Sequence, residues 1–522
     1  MTSRRPLSMG GAALVVSISI LASRVLGLLR ETLLAALLGV SAAGDVYRNA
    51  FLLPDFLNYL LAGGFLSITL IPLLARHLEA GDDEGAWASF RSVFSFVAIA
   101  IVALTALLYA LAPALIDLLY PRVPAAEVAT VVALTRIALP AQIFFLLGAL
   151  FMAVSYAQKR FLFPALAPVV YNLGIIGGGL AAAALGQAGP EGFIWGAVMG
   201  AVVGNFALQW VGARRAGWRW SKSRSPGAVR EYLTLAFPLM VGQSVAVLDE
   251  QFPRLFGQLA GVGGTAALSL ARMLNMLPVG LIAQAAGVAS FPFMARLAAR
   301  GDTTEVDGIS LRAARSAGVL GVGAMALVIA VAEPAVRVVY QWGRFGGADV
   351  ATVSVLLIIF GLSIPAWGIH QVIARWFYAH RRMWMPVVVG TAITVLAVPL
   401  TIALGSRFGT TGVAAASSLV IWIYTLTLAS RWTAGSGDRS LRRLLGPIIP
   451  ALVIASPAAG AGRLVVDALG GSDPVSALPA LLGGMVTVVV LLVFGGRLLN
   501  VPEFLPRRPG RTRASEPDGD QG

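Results

Sequence analysis

Tyr156-Ala157-Gln158-Lys159-Arg160-Phe161-Leu162-Phe163-Pro164 returns as Tyr378-Ala379-His380-Arg381-Arg382-Met383-Trp384-Met385-Pro386, with every spacing kept. A second pair behaves the same way. Pro72-Leu73-Leu74-Ala75-Arg76, closing with Gly81-Asp82, returns as Pro292-Phe293-Met294-Ala295-Arg296 with Gly301-Asp302. The displacement from Tyr156 to Tyr378 and that from Pro72 to Pro292 agree to within two positions. Two motifs that share nearly one offset mark an internal duplication, so the chain reads as two homologous halves followed by a tail.

The composition says where those halves live. Hydrophobic residues make up 57% of the chain and charged residues 12%, about half the usual charged share of a soluble domain. Apolar runs of 18 or more residues recur along nearly the whole length, each long enough to cross a ~30 Å hydrocarbon core as a helix. A membrane barrel would show ~10-residue alternating strands instead. The chain is therefore read as an all-α polytopic membrane protein. The absence of Cys removes disulfides, thiolate chemistry and Cys-based metal sites. The surplus charge of +14 comes almost entirely from Arg, since Lys159 and Lys222 are the only lysines. That charge lies in short loops between spans, where it signals topology and not nucleic acid.

Apolar runs and their polar breaks place fourteen spans, near 13–38, 45–75, 90–119, 127–156, 161–185, 191–213, 231–258, 265–296, 309–338, 350–379, 384–405, 409–431, 443–469 and 476–497. One set of loops carries Arg4, Arg5, Arg76, Arg91, Lys159, Arg160, Arg214, Arg215, Arg219, Lys222 and Arg224, then Arg296, Arg300, Arg381, Arg382, Arg439, Arg442, Arg443 and the tail arginines. The alternate set holds only Arg122, Arg344, Arg407 and Arg463. This bias puts both termini in the cytoplasm, which requires an even span count. Six spans per repeat is also even, so the two halves share one orientation and are parallel repeats about an axis along the membrane normal. The expected organisation is an N-lobe at 1–216, a cytoplasmic amphipathic connector at 217–230, a C-lobe at 231–440, two appended spans at 441–500 and a disordered tail at 501–522.

Ionisable groups deep in a span cost on the order of 2.5–3.5 kcal/mol each even on the lenient insertion scale, so they face a partner or a watery cavity. Span 1 carries Arg24, Arg30 and Glu31; the start of span 2 carries Asp45 and Arg48; span 7 carries Asp249, Glu250 and Arg254; span 8 carries Arg272. These are the opening spans of the two repeats, so pseudo-symmetry brings them together across the interface between halves, around a central, mostly cationic cavity. Local pairing is the plainer alternative for several of them. Glu250 and Arg254 are four apart on one helix face, Asp45 and Arg48 are three apart near a membrane edge, and Arg30-Glu31 can snorkel from the outer end of span 1. Arg24 lies about a dozen residues into its span with no local acid. Pro54, Gly63, Gly64 and Pro253 interrupt helix hydrogen bonding at the same depth, as in discontinuous transport helices. Three scattered His (His77, His370, His380), no Cys and no Walker-type loop leave no metal site, nucleophile or nucleotide cradle. No cofactor is expected, and the chain reads as a transporter and not an enzyme.

Ser23-Arg24-Val25-Leu26-Gly27-Leu28-Leu29-Arg30-Glu31, followed by Gly44-Asp45 and Leu53-Pro54-Asp55, resembles the MurJ/MviN family of lipid II flippases in the MOP superfamily. The stretch from Phe65 to Pro72, Ser290-Phe291-Pro292 and Phe377-Tyr378-Ala379 extend the resemblance over roughly residues 10 to 500. The resemblance implies a two-lobe transporter of the bacterial inner membrane. Its cationic cavity would grip the diphosphate and sugars of a polyprenyl-linked peptidoglycan precursor, and the lipid tail would lie in a groove at spans 13 and 14. It further implies substrate-binding roles for Arg24, Arg30 and Arg272, with Glu31 and Asp45 matching family acids. Other positions depart. The family's basic pair after the Leu-Pro motif is here Asn58-Tyr59, its acid before the Gly is Gly63, and its span 8 acid-Arg pair falls at Arg272-Met273. Asp249 matches a cation-binding acid of some relatives, yet Arg382 replaces the expected acidic partner, which argues against a sodium site.

Diphosphate recognition needs several positive donors acting together, and Arg48 and Arg254 can restore the charge lost elsewhere, with Asn58 as a polar contact. The expected function is therefore lipid II flipping by alternating access. Arg24, Arg30 and Arg272 would clamp diphosphate, Arg48 and Arg254 would support them, and Asp45, Asp249, Glu250 and Glu31 would hold arginines or couple an ion. Coupling to membrane potential or to a monovalent cation is left open. Expected partners are lipid II, membrane lipids and cell-wall synthesis machinery, with the chain acting as a monomer. The alternatives are a flippase for another polyprenyl-diphosphate-linked glycan and a cation-coupled small-molecule exporter; the exporter would need an acid-dominated cavity.

Overall fold

Helix is the regular structure of every described segment, and no strand occurs among the described residues. This is what hydrocarbon demands, because a helix satisfies its own backbone groups where water cannot. The computed structural model describes residues 9–60, 65–236, 248–282, 286–287, 289–434 and 441–505. The expected disordered tail from residue 506 onward lies outside them. The first half runs α1 (Met9–Leu38), α2 (Ala42–Ala50), α3 (Leu52–Leu60), α4 (Phe65–Glu79), α5 (Asp83–Leu119), α6 (Ala125–Ala138), α7 (Ala141–Ala157), α8 (Leu162–Ala184), α9 (Pro190–Gly200), a wide turn at Ala201–Ala207 and α10 (Leu208–Arg215). The second half runs α11 (228–236), α12 (Leu248–Phe256), α13 (Gly264–Ile282), α14 (Ala289–Ala299), α15 (Thr303–Tyr340), α16 (Gly347–Gly361), α17 (Ile364–Ala379) and α18 (Trp384–Thr433). A short α19 (Leu441–Leu445) then leads to the appended hairpin α20 (Ile448–Leu469) and α21 (Ala477–Leu498).

Nine helical runs among the described residues are long and apolar enough to cross a membrane, or ten with the bent pair α16–α17 taken as one span. α18 is one of the nine, yet Gly409 at its centre leaves the helical region (φ 60°, ψ −136°), so it divides where spans 384–405 and 409–431 were expected to meet. Three of the fourteen expected spans fall outside this set. Span 13–38 is α1 with its internal charges, 45–75 is broken into α2, α3 and α4, and 231–258 flanks residues 237–247, which lie outside the description. The length test therefore does not settle the count of fourteen.

The duplication is physical. After α7 and after α17 the chain turns on Lys159 (φ 55°) and Arg381 (φ 57°), two non-Gly residues in the left-handed region. Arg160 N–H donates to Ser155 O at 2.8 Å and Arg382 N–H to Phe377 O at 2.9 Å, which is the same helix-end closure. Gly81 (φ 75°) and Gly301 (φ 79°) likewise precede Asp82 and Asp302, which cap α5 and α15 by accepting from Gly85 N–H at 2.8 Å and Glu305 N–H at 3.0 Å. The Gly85 N–H and the His77 ring hold the Asp82 carboxyl below its ordinary range.

Lipid gives helices little hydrophobic reason to associate, so close packing of small residues does that work. Between α8 and α9, Gly174 and Gly178 meet Gly192, Gly196 and Gly200 at backbone contact, where any Cβ would collide. The connecting segment at 217–230 is pinned to the first half. Trp218 is buried against Phe90 and Phe151, and Arg91 donates to the carbonyls of Ser221 and Lys222. Tyr232 and Ala236 of α11 extend that same core. The hairpin α20–α21 packs on α15, with Glu333 accepting from Arg337 at 2.8 Å and from Arg463 at 2.9 Å. Ala35 near the end of α1 enters the second half's core beside Leu270, Tyr340 and Phe345, so the halves are joined at that end.

Candidate functional site

Between the halves lies a cavity of about 420 Å³, lined by α1, α2, α3 and α8 of the first and α12 and α13 of the second. Among the described residues its charged lining is Arg30, Glu31, Arg48, Asp55, Arg254 and Arg272: four cations against two carboxylates. Three of them, Arg48, Asp55 and Arg254, come from interrupted elements. α2 starts on a Ser41 cap and ends at Phe51, which starts the α2–α3 bend, turning Arg48 and Asp55 toward one space. α12 contains Pro253 and gives way to a tight turn at Gly257–Ala260, ending on Gly261 (φ 81°), which leaves Arg254 at the wall.

The carboxylates occupy the arginines. Glu31 accepts from Arg30 at 2.8 Å through one oxygen and from Arg48 at 3.3 Å through the other. Arg30 also donates to Asn172 Oδ1 at 3.1 Å, and Arg48 to the Gly44 carbonyl at 3.2 Å. Asp55 accepts from Arg254 at 2.5 Å, a pair that spans the two halves, and Gln251 Oε1 takes a second bond from the same nitrogen at 2.9 Å. Each guanidinium carries five N–H donors, more than these bonds use.

Of the residues singled out from the sequence, Arg30, Glu31, Arg48, Arg254 and Arg272 converge on this cavity. Arg24 does not line it. It is exposed seven residues before Glu31, two turns or ~10 Å along one face of α1. Asn58 donates to Gln142 Oε1 at 2.8 Å inside the first half and is not among the lining residues. The side chains of Asp249 and Glu250 lie outside the described residues, and so does the expected Glu250–Arg254 pair; among the described residues Arg254 pairs with Asp55.

Asp45 has a different partner from the one expected. Its two oxygens accept from the backbone N–H groups of Gly263 at 2.6 Å and Ala266 at 2.7 Å, so it caps the N-terminus of α13 across the interface and does not pair with Arg48 or hold a cavity arginine. Nearby, Arg344 N–H donates to Ala36 O at 2.8 Å, Gln258 donates to Leu119 O at 2.6 Å, and Arg122 reaches Ser406 Oγ at 3.2 Å. All of these lie on the arginine-poor side and link the two halves there. The sequence reading passed over Asp55, Tyr47, Tyr171 and Asn172. Asp55 had a signal in the Leu53-Pro54-Asp55 motif; Tyr171 and Asn172 sit in an otherwise apolar run and had none.

Comparison with known proteins places this geometry. The family model described as lipid II flippase MurJ matches residues 34–456. A probable lipid II flippase MurJ of Rhizobium meliloti (strain 1021) is 26% identical over 491 residues, covering 91% of this chain and 90% of the relative. One from Synechocystis sp. is 28% identical over 525 residues, covering 95% and 96%. Among solved structures, lipid II flippase MurJ in an inward closed conformation matches with a TM-score of 0.75 at 22% identity, covering 93% of this chain and all of that one. An inward-facing multidrug resistance MATE family transporter of the MOP superfamily matches with a TM-score of 0.64 at 13% identity, covering 81% and 100%. At those identities the structural matches speak for the fold alone.

Proposed function

The chain belongs to the lipid II flippase MurJ family, and from that membership we propose how its cavity handles the substrate. It is a multi-pass membrane transporter with lipid II as its cargo. In our reading the arginine-rich face is cytoplasmic, the membrane is the bacterial inner membrane, and both termini are cytoplasmic, as the loop charges favour.

Arg30, Arg48, Arg254 and Arg272 receive the diphosphate. Glu31, on Arg30 and Arg48, and Asp55, on Arg254, act as placeholders that orient these guanidinium groups and offset part of their charge while the cavity is empty, because an unpaired charge away from bulk water is costly. An arriving diphosphate offers more oxygen acceptors and more negative charge than either carboxylate, so it displaces them from the arginines. Displacing Asp55 from Arg254 also removes a link between α3 and α12, which couples binding to the freedom of the lobes. In this reading Arg24 stands at the mouth and draws the anionic headgroup inward. The Asp45 cap on α13 is the latch that must open for release on the other side. The lipid tail would run along the α20–α21 hairpin, whose exposed Leu464, Val486, Val490 and Phe494 form an apolar face.

The observation that carries this reading is the convergence of four arginines from both halves on one cavity with, among the described residues, two acids. A cation exporter would need the opposite balance. The test is growth of a flippase-depleted bacterial strain carrying this chain. Wild type is expected to restore growth, and Arg30→Ala and Arg254→Ala to fail while reaching the membrane in equal amount. Full rescue by both variants would end the assignment.

A further inference from the structure

A second cavity, of about 400 Å³, lies wholly within the second half, walled by α14, α17 and α18. Its polar lining is His370, Gln371, Arg375, Tyr378, Thr394 and Tyr424, and among the described residues no carboxylate lines it. Arg375 is half-buried, lies over Gly287, and donates to the Gln371 carbonyl at 3.3 Å. Tyr424 donates to Pro386 O at 2.6 Å, and its ring stands 4.4 Å from that of His370. The remaining wall is aromatic and aliphatic, including Trp367 and Ile393.

The first half shows what this region looks like without a cavity. The offset that aligns Tyr156 with Tyr378 carries His370 to Gly148, Gln371 to Ala149 and Arg375 to Ala153. In that copy the space is filled. The Asn205 backbone lies directly against Gly148, leaving no room for a Cβ, and Ala149 and Ala153 are buried. One copy of the duplicated helix thus packs small residues against its neighbour. The other replaces those three with a guanidinium, an amide and an imidazole around an opening.

We propose that this opening is a second binding site, taking a small organic anion: one carboxylate or phosphate on an apolar body. A guanidinium in a semi-enclosed, apolar-walled space gains most from an ionised oxygen acceptor, and the aromatic walls suit a carbon skeleton. The anion pairs with Arg375, with Gln371 and the Tyr378 hydroxyl as further donors. The same headgroup chemistry can arrive as a water-borne acid or as part of a lipid. The inference does not depend on the lipid II reading.

The test is calorimetric titration of the purified full chain in neutral detergent with hexanoate, hexyl phosphate, a lysophosphatidate and, as the charge-reversed control, hexylammonium. A saturable anionic-probe site that depends on Arg375 and is distinct from any binding in the central cavity is expected, with none for hexylammonium. Arg375→Ala, which installs the first half's residue, should weaken it by at least about tenfold, the effect of losing a charged hydrogen bond. Arg375→Lys should retain more binding than Arg375→Ala, and Arg30→Ala should leave it unchanged. Binding of the lysophosphatidate alone, with the same dependence on Arg375, supports the site with a lipid-borne anion. Absent binding, equal binding by Arg375→Ala, or equal binding of hexylammonium overturns it. Loss in Arg30→Ala but not in Arg375→Ala would move the anion to the central cavity, overturning this inference while leaving the flippase reading intact.

Discussion

At the turns after α7 and α17, Lys159 and Arg381 adopt the same left-handed backbone and close the same helix-end bonds. At the faces the two halves present to each other, the correspondence vanishes: the offset that aligns Pro72 with Pro292 carries Arg48 to Leu268 and Asp55 to Asn275. The contrast separates two demands on a duplicated transporter. Loop edges must keep both lobes in one orientation, so they stay alike. A single headgroup lying between the lobes meets each from a different side, so the residues that hold it need not be alike. The latch follows the second rule, since Asp45 of the first half caps a helix of the second.

The largest effect should come from the unduplicated cavity. Arg254→Ala removes charge-assisted bonds worth about 1.5–3 kcal/mol each, so the transport rate is expected to fall by about 10- to 100-fold. Arg24→Ala, at the mouth, should cost much less and mainly in a salt-dependent capture step. Equal losses in both variants would erase the distinction between cavity and mouth.

Next comes the latch. Asp45→Ala removes a helix cap worth about 1 kcal/mol, which shifts the closed–open balance of the arginine-poor side by about fivefold. The chain has no native cysteine, so thiol labelling of Val40→Cys reports that side cleanly. Faster labelling in the Asp45→Ala background is expected, and an unchanged rate would remove Asp45 from the gate.

The duplicated turns should give small and matched effects. Lys159→Gly and Arg381→Gly each relieve a left-handed conformation that costs a side-chain-bearing residue about 1–2 kcal/mol. Part of that is returned as unfolded-chain entropy. Thermal midpoints should rise slightly and equally, and opposite signs would break the equivalence of the two turns.

The smallest effect is a pH dependence at the α5 cap. The Gly85 N–H and His77 hold the Asp82 carboxyl below its ordinary value. A carboxylate depressed in the folded state contributes above its unfolded value, near about 3.9, and loses that contribution as pH falls through the folded one. The difference in thermal midpoint between wild type and Asp82→Asn should hold through neutral pH and shrink only in strong acid. A difference that grows on acidification would reverse the sign.

Much of this was legible in the sequence because charge in an apolar run is conspicuous. Arg30, Glu31, Arg48, Arg254 and Arg272 stood out for that reason, and the parallel repeat brought them together. Pairing was not legible. Asp45 looked like a partner for Arg48, but its true partners are backbone N–H groups of the second half, and backbone donors leave no mark in a residue pattern. Asp55, the partner of Arg254 among the described residues, belongs to the other half, and no spacing within one helix points to it. Arg24 shared the signature of Arg30, yet six residues on a helix change both depth and face, and Arg24 lies outside the cavity lining. The second cavity was invisible because no charge run announces it; only the filled copy at Gly148 and Ala153 gives His370 and Arg375 meaning.

The central claim is that arginines from both lobes jointly carry the diphosphate across, and its most direct test is lipid II accessibility at the outer face of flippase-depleted cells. Cells expressing the wild-type chain should expose lipid II outside. Cells expressing either Arg30→Ala, from the first lobe, or Arg254→Ala, from the second, should retain it inside at equal protein level. Exposure at the wild-type level with either variant would contradict the account.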